Sequence, residues 1–385
     1  MEAVPQLTPE QLYERLESGD PVTVVDVRQP HEYETWHIDG QGVETVNVPD
    51  RKLARADPSD VLAAVPTETV VTVCGTGKIS RSSTRHLRRN GIEAHNLAGG
   101  MEAWAGLAVE TELPTETDAT VVQFQRPSTG CLSYLVVSGG DAAVVDPLLA
   151  FTDEYVAAAK ARQSDIVSVM DTHVHADHVS GVRTLADETG ATAILPAAAP
   201  DRGVDYDISH ETVADGDTLS VGASTIEAVH TPGHTSGMTT YALDDAVVFT
   251  GDGLFVESVA RPDLEAGADG APDAAARLYE SLHDRILTYS EATLVAPGHY
   301  STGTDPATDG SYTATLGAVL EEVDDLFDPV DSFVESTLED MPPRPANHTR
   351  IIDTNLGQRD LPRQRALRLE RGPNNCAATS EQSGD

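Results

Sequence analysis

Eight consecutive residues, Asp171 to His178 in the stretch DTHVHADHVSG, hold three histidines and two aspartates. Such side chains are expensive to bury and weak helix formers, so a bound ion or a reaction must offset their desolvation. His173 and His175 can converge from neighbouring turns of one loop, with Asp177 and His178 on its other side. Imidazole and carboxylate are ligands suited to divalent transition metals. Three further stretches supply the same residue types: His234 in TPGHTSG, Asp252 in FTGDGLF and His299 in APGHY. Gly251 and Gly253 flank Asp252 and permit close backbone approach. Isolated histidines at 31, 37, 86, 95, 210, 283 and 348 read instead as surface or satisfied core residues.

A second chemistry centres on Cys74. In TVVTVCGTGKISRSSTRHLRRNG it ends an apolar strand and precedes a glycine-bearing loop and a helix. Backbone N–H groups at that helix start would converge on the sulfur, and the helix dipole favours its anion. A thiolate nucleophile is the expected result, with Lys78 and Arg81 adding positive charge. Cys74, Cys131 and Cys376 are odd in number and form no CxxC pair, so neither a disulfide framework nor a cysteine zinc site is expected.

The elements around these residues fall into two groups. From about residue 7 to 110 strands and helices alternate: LTPEQLYERLESG is a helix capped by Thr8, PVTVVDV and TVVTVC are strands, and SSTRHLRRNG is a helix closed by Gly91. Strands separated by helices imply a parallel sheet. TELPTETDAT, 111–120, reads as a linker. Beyond it the strands VVQFQR, CLSYLVVSG and DAAVVDP come in succession, followed by helix DEYVAAAKAR, strand IVSVM, the histidine cluster, a further helix and strand ATAIL. Two β-rich stretches with interposed helices predict a four-layer αββα sandwich. The expected division is 5–110 and 121–300 for the two domains, 301–360 for a helical and proline-rich extension, and 361–385 for a disordered tail.

Charge narrows the partners. Sixty-three acidic residues against 25 basic ones give a formal charge of -38, and Lys52, Lys78 and Lys160 are the lysines. Hydrophobic periodicity argues against a disordered acidic protein, which leaves adaptation to a high-salt cytoplasm. Such a surface repels phosphate backbones, so nucleic acid is excluded as a partner. No apolar run is long enough to span a bilayer, and MEAVPQLTPEQLYERL lacks the character of a signal peptide, so a cytoplasmic chain with no membrane partner is expected. A homo-oligomer is compatible with this composition.

Motifs extend these readings. VVDVRQPHEYETWHIDG, with Asp26 and Arg28, together with CGTGKIS and NLAGGMEAW, resembles the rhodanese family over about residues 5 to 110. The resemblance implies that Cys74 accepts a sulfane sulfur and holds it as a persulfide. Where that family often carries arginine before the loop serine, this chain has Ile79, and Arg81 is the candidate substitute for binding substrate.

The ordered set His173, His175, Asp177, His178, His234, Asp252 and His299 resembles the metallo-β-lactamase superfamily over roughly residues 120 to 300. Two chemistries share those ligands. A dinuclear zinc hydrolase of the glyoxalase II type would place His173, His175 and His234 on one ion, and Asp177, His178 and His299 on the other. Asp252 would lie between them. A mononuclear iron(II) enzyme would use His173, His234 and Asp252, and the other four would orient them or bind water. STGCLSYLV, DTHVHADHVSG, HTPGHTSGMTTYAL and FTGDGLFVESVARPDL look most like persulfide dioxygenases, and PPRPANHTRIIDTNLG resembles a tail of rhodanese-fused members. That resemblance implies one Fe(II) per chain, a small thiol persulfide and dioxygen as substrates, sulfite and thiol as products, and a sulfane-sulfur donor at the rhodanese-like domain. Arg261 would order the site loop, meet an anionic substrate or pair with Asp263. Tyr300 would line the pocket, and Cys131 would lie near it, buried.

Overall fold

The structure, a computed structural model, describes residues 4–40, 43–55, 69–301, 303–339, 341, 344–345 and 347–371. The chain divides into two compact units, Met1–Leu107 and, in the main, Ala108–Gln125 with Gly130–Glu370.

In the first unit the strands are β1 (Gln6–Leu7), β2 (Val22–Asp26), β3 (Val43–Asn47), β4 (Thr69–Val73) and β5 (Ala94–Leu97). They form one parallel sheet in the order β1-β5-β4-β2-β3. The described helices are α1 (Pro9–Glu17), α2 (Pro30–Thr35), α3 (Asp50–Leu53), α4 (Ser80–Arg89) and α5 (Gly100–Trp104). VTVVD and TVVTV are buried along almost their whole length because the inner strands of a parallel sheet are covered on both faces. Thr8 caps α1 as expected, with its hydroxyl and the Gln11 side chain each accepting the other's backbone N–H. Val25, Val27, Leu53, Val70 and Leu87 pack around Cys74, which follows β4 directly.

The second unit holds two sheets. One comprises β6 (Val109–Glu112), β7 (Thr120–Arg126), β8 (Cys131–Ser138), β9 (Asp141–Val145), β10 (Asp165–Met170), β11 (Thr192–Pro196) and β12 (His210–Val213), adjacent in sequence order. The other comprises β13 (Thr218–Val221), β14 (Ser224–His230), β15 (Thr239–Leu243), β16 (Val247–Gly251), β17 (Leu294–Pro297) and β18 (Ala314–Thr315). Side chains from both sheets, among them Tyr134, Val145, Met170, Ile226, Tyr241 and Phe249, share one buried core. Helices α6 (Thr152–Ala161) and α7 (Val182–Thr189) cover the first sheet through Tyr155, Ala158 and Leu185. Helices α8 (Asp263–Asp284), α9 (Leu316–Glu322) and α10 (Val330–Glu339) cover the second through Leu278, Val319 and Phe333. Four layers, αββα, result, as the strand and helix order implies. No helix of the described residues is long and apolar enough to cross a membrane.

Two stretches differ from expectation. Thr111 and Glu112, read as linker, belong to β6 and pair with Gln123 and Val122. An edge strand needs only one neighbour and tolerates polar side chains, which hides it in a periodicity reading. The segment from 361, expected as a disordered tail, is ordered at its start: after α11 (His348–Asn355), residues Arg363–Leu369 form α12. Ala366 and Leu369 of α12 are buried with Val179 and Ile351, and this packing holds the segment in place. Cys376 and the rest of 372–385 lie outside the described residues.

Candidate metal centre

Every expected ligand in the second unit sits just past a strand. Asp171–His178 follows β10, His234 follows β14, Asp252 follows β16 and His299 follows β17. All seven side chains are buried, at most 1 % exposed. Glycines permit the approach. A Cβ on Gly298 would stand 2.6 Å from Asp252 Oδ1, and one on Gly251, which has φ +49°, would collide with Thr172 Oγ1.

Hydrogen bonds fix which imidazole nitrogens keep a lone pair. Thr172 donates its hydroxyl hydrogen to Asp146 Oδ2 at 2.9 Å, so its oxygen accepts from His173 Nδ1–H, also at 2.9 Å. His234 Nδ1–H donates to the Arg261 carbonyl at 2.8 Å. Both rings therefore present an unprotonated Nε2, and each Nε2 lies 3.8 Å from Asp252 Oδ2. None of these three atoms has a hydrogen-bond partner among the described residues. Burial, aided by the neighbouring His175, holds the His173 pKa well below its ordinary value; burial also lowers that of His234. Two neutral imidazoles and a carboxylate, converging within 4.8 Å in a buried site, fit one divalent ion with bonds of about 2.1 Å. The same three donors form the two-histidine, one-carboxylate set that leaves coordination positions open.

The remaining four are arranged differently. His299 Nδ1 is 2.6 Å from Asp252 Oδ1 and its Nε2 is 2.7 Å from Asp177 Oδ2. Burial opposes its charge, yet the two carboxylates hold its pKa well above normal. Asp177 Oδ2 also accepts from His178 Nδ1–H at 2.7 Å and from the Cys131 thiol at 3.3 Å. Asp177 raises the His178 pKa to about 9 against the effect of burial. His175 Nε2–H donates to Asp146 Oδ1 at 3.0 Å. His175 Nδ1, Asp177 Oδ1 and His178 Nε2 are, like the triad atoms, without hydrogen-bond partners among the described residues.

The ligand loop is held by residues that spacing alone does not reveal. Asn355 Nδ2 donates to the His175 and His178 carbonyls at 2.9 and 2.8 Å, and Asn355 Oδ1 accepts from Ser180 N–H at 2.9 Å. Glu370 accepts from Val179 N–H at 2.8 Å. Asp146 carries φ +52°, uncommon for a residue with a side chain, and from it reaches both Thr172 and His175. Its DP signature after β9 was the one visible signal; Asn355 and Glu370 lie 177 and 191 residues from their partners.

Of the three expectations for Arg261, the side chain takes the ion pair: its guanidinium is buried against Asp263 at 2.7 Å, and Arg344 meets the same carboxylate. Its carbonyl is what touches the site, through His234. Tyr300 stacks on Tyr312 with ring centroids 3.5 Å apart and packs against the core between the sheets. Cys131 is buried beside Asp177, His178 and His299.

In the first unit, Ser80 N–H points at Cys74 Sγ from 3.4 Å, and Ser80 Oγ lies 3.2 Å from the sulfur. Burial pushes the thiol up, but hydrogen bonds from Ser80 and from the Thr76 and Ile79 backbone outweigh it and lower the Cys74 pKa. Ser80 Oγ also lies 2.7 Å from Asn96 Oδ1. Arg81 turns to Gln6, with Nη2 3.1 Å from Oε1. Lys78 is exposed, and so is Ile79.

Comparison with known proteins agrees with both architectures. Residues 127–299 match the model of the metallo-β-lactamase superfamily, and residues 8–107 match that of the rhodanese-like domain. A probable metallo-hydrolase of Burkholderia pseudomallei strain 1710b is 31% identical over 215 residues, 45% of this chain and 70% of that protein. The mitochondrial persulfide dioxygenase ETHE1 of Bos taurus is 26% identical over 206 residues, 53% of this chain and 77% of that protein. The crystal structure of ETHE1 from Myxococcus xanthus superposes with a TM-score of 0.53 at 26% identity, covering 61% of this chain and 97% of that one. With its ligand set, its two sheets and these relatives, the chain is an enzyme of the metallo-β-lactamase superfamily that also carries a rhodanese-like domain.

Proposed function

We propose that the chain is an iron(II)-dependent persulfide dioxygenase whose N-terminal domain transfers sulfane sulfur. The supporting observation is the inequality between the two donor sets. His173, His234 and Asp252 each aim a partnerless atom at a common point, whereas His299, which a second ion would need, is engaged by carboxylates at both nitrogens. The relative named persulfide dioxygenase ETHE1 in Bos taurus and the solved structure of ETHE1 from Myxococcus xanthus favour the same reading. Iron(II) held by the triad would supply the redox chemistry that dioxygen needs. The overall reaction converts a low-molecular-weight thiol persulfide, dioxygen and water into the thiol and sulfite. The protein's part is positional: Thr172 and the Arg261 carbonyl orient the two histidines, and His299 orients Asp252 so that its free oxygen faces them. Burial of the whole set excludes bulk water.

Cys74 supports the second half of the proposal. A thiol of lowered pKa inside a loop of N–H groups is suited to take a sulfane sulfur from a donor. The covalent link would raise the effective concentration of that sulfur near the oxidising site. Loss of coupled turnover from a sulfane-sulfur donor in Cys74→Ser, with oxidation of a supplied persulfide retained, is expected.

A dinuclear zinc thioester hydrolase is the second reading. It is favoured by the partnerless His175 Nδ1, Asp177 Oδ1 and His178 Nε2. Metal analysis of anaerobically purified protein, combined with an oxygen electrode, separates the two. One iron per chain and persulfide-dependent oxygen uptake support the dioxygenase. Two zincs, with thioester cleavage and no oxygen uptake, reject it.

A further inference from the structure

We propose that a recess beside the Cys74 loop binds the carboxylates of a sulfane-sulfur donor larger than thiosulfate. The donor's chemical class is a carboxylate-bearing thiol persulfide. This inference rests on the sulfur-transfer reading of Cys74 and adds the place where its donor is held.

Among the described residues, Gln29, Pro49, Arg51, Lys52, Arg55 and Ile79 line the recess, with Asp50 as their single carboxylate, and its volume is about 920 Å³. That is at the upper end of the range that accepts a drug-sized ligand, roughly 300–1,000 Å³. Ile79 joins it to the sulfur. Its backbone hydrogen-bonds Cys74, while its side chain is 56% exposed and faces the recess. Helix α3 supplies the cations: Leu53 is buried in the cluster that holds Cys74, so Arg51 and Lys52 are left on the exposed side.

Charge composition makes this cluster informative. In a chain with a formal charge of -38, residues 50–55, DRKLAR, carry three cations, one of them among the chain's three lysines. A cationic recess in such a field attracts anions selectively. At the loop itself, position 79 is apolar, so a small dianion at Cys74 meets isoleucine there. The cations line the same recess. A longer molecule can reach Cys74 with its terminal sulfur and still lay its carboxylates against Arg51, Lys52 and Arg55.

The transfer is balanced without an external oxidant. The Cys74 thiolate attacks the terminal sulfur of R–S–SH, forming a Cys74 Sγ–S bond as the donor's S–S bond breaks. R–S⁻ leaves with the electron pair, and the proton stays on the transferred sulfur.

The test compares donors in the full chain. In the triple variant Arg51→Gln, Lys52→Gln, Arg55→Gln, the ratio of kcat/KM for glutathione persulfide to that for cysteamine persulfide should fall about tenfold, three exposed charge contacts being lost. An unchanged ratio overturns the proposal, and a general loss of folding does not alter a ratio. Ile79→Arg should shift preference toward thiosulfate; no shift counts against the proposal. Calorimetry with S-methylglutathione, which carries carboxylates and no sulfane sulfur, reads the recess directly. If the wild-type chain moves no sulfur from any donor, the transfer reading falls and calorimetry alone decides: weaker binding by the triple variant supports the recess, and equal binding overturns it.

Discussion

His299 Nδ1 lies 2.6 Å from Asp252 Oδ1, while the other oxygen of Asp252 faces His173 and His234 from 3.8 Å. One carboxylate thus divides its two oxygens between an orienting hydrogen bond and a ligand position. Asp252→Ala should remove both turnover and metal retention. His299→Ala keeps the carboxylate but releases its orientation, so metal affinity should fall by roughly 10–100-fold rather than vanish. Equilibrium dialysis against iron(II) distinguishes them, and identical loss in both variants would make His299 a ligand.

Ser80 is expected to set the working pH of Cys74. The thiol pKa lies below its ordinary value because hydrogen bonds to the thiolate outweigh burial. A lowered pKa enlarges the reactive fraction as pH falls toward neutrality, so the acidic limb of the transfer rate should lie below pH 9, the ordinary thiol value. In Ser80→Ala that limb should move to higher pH. An unmoved limb would show that Ser80 merely packs against the sulfur.

Asn355 should act on the metal site from outside it. Asn355→Asp keeps the shape and the acceptor for Ser180 N–H but removes the donor to the His175 and His178 carbonyls. Leaving buried carbonyls unpaired costs about 1–3 kcal/mol, read as a lower urea midpoint. Weaker metal binding should accompany it. Normal stability in the variant would mean that the loop is held by Glu370 and its own turns.

Salt should stabilise the fold. At a formal charge of -38, self-repulsion is large in dilute buffer and is screened in molar KCl. A rise in Tm of roughly 10 °C or more is expected between those conditions, equivalent to about 3 kcal/mol for domains of this size. A flat response across that range contradicts high-salt adaptation.

The sequence made the candidate ligands legible because their chemistry is local: HxHxDH, PGH and GD each announce a possible donor just past an apolar strand. It also exposed the Cys74 loop, which lies between the apolar run TVVTV and a polar helix. What it concealed depends on distance or on geometry. Asn355 is an ordinary asparagine until α11 brings it beneath His178, and Glu370 is one carboxylate among many until α12 packs. The β6 edge strand escaped notice because its outward residues, Glu110 and Glu112, are those of a loop. Arg261 was legible in part: its side chain takes the expected ion pair with Asp263, whereas the carbonyl that meets His234 leaves no mark in the residue type.

The proposed metal ligands are shared between the two sheets: the His173 loop continues from β10, whereas His234, Asp252 and His299 extend from β14, β16 and β17. An ion gripped by His173 on one side and by His234 and Asp252 on the other would therefore work as a clasp along one edge of the sandwich. Around it run protein-only stitches, Leu132 N–H to the Gly298 carbonyl at 2.7 Å and Tyr134 Oη–H to the Pro297 carbonyl at 2.6 Å. Opening the clasp should let that edge breathe before the core between Tyr241 and Met170 yields. Amide exchange after chelation should quicken first in the strand ends that carry ligands, with the far rim near β13 slower to respond. Affinity for the ion would then double as a gauge of how far apart the two sheets sit.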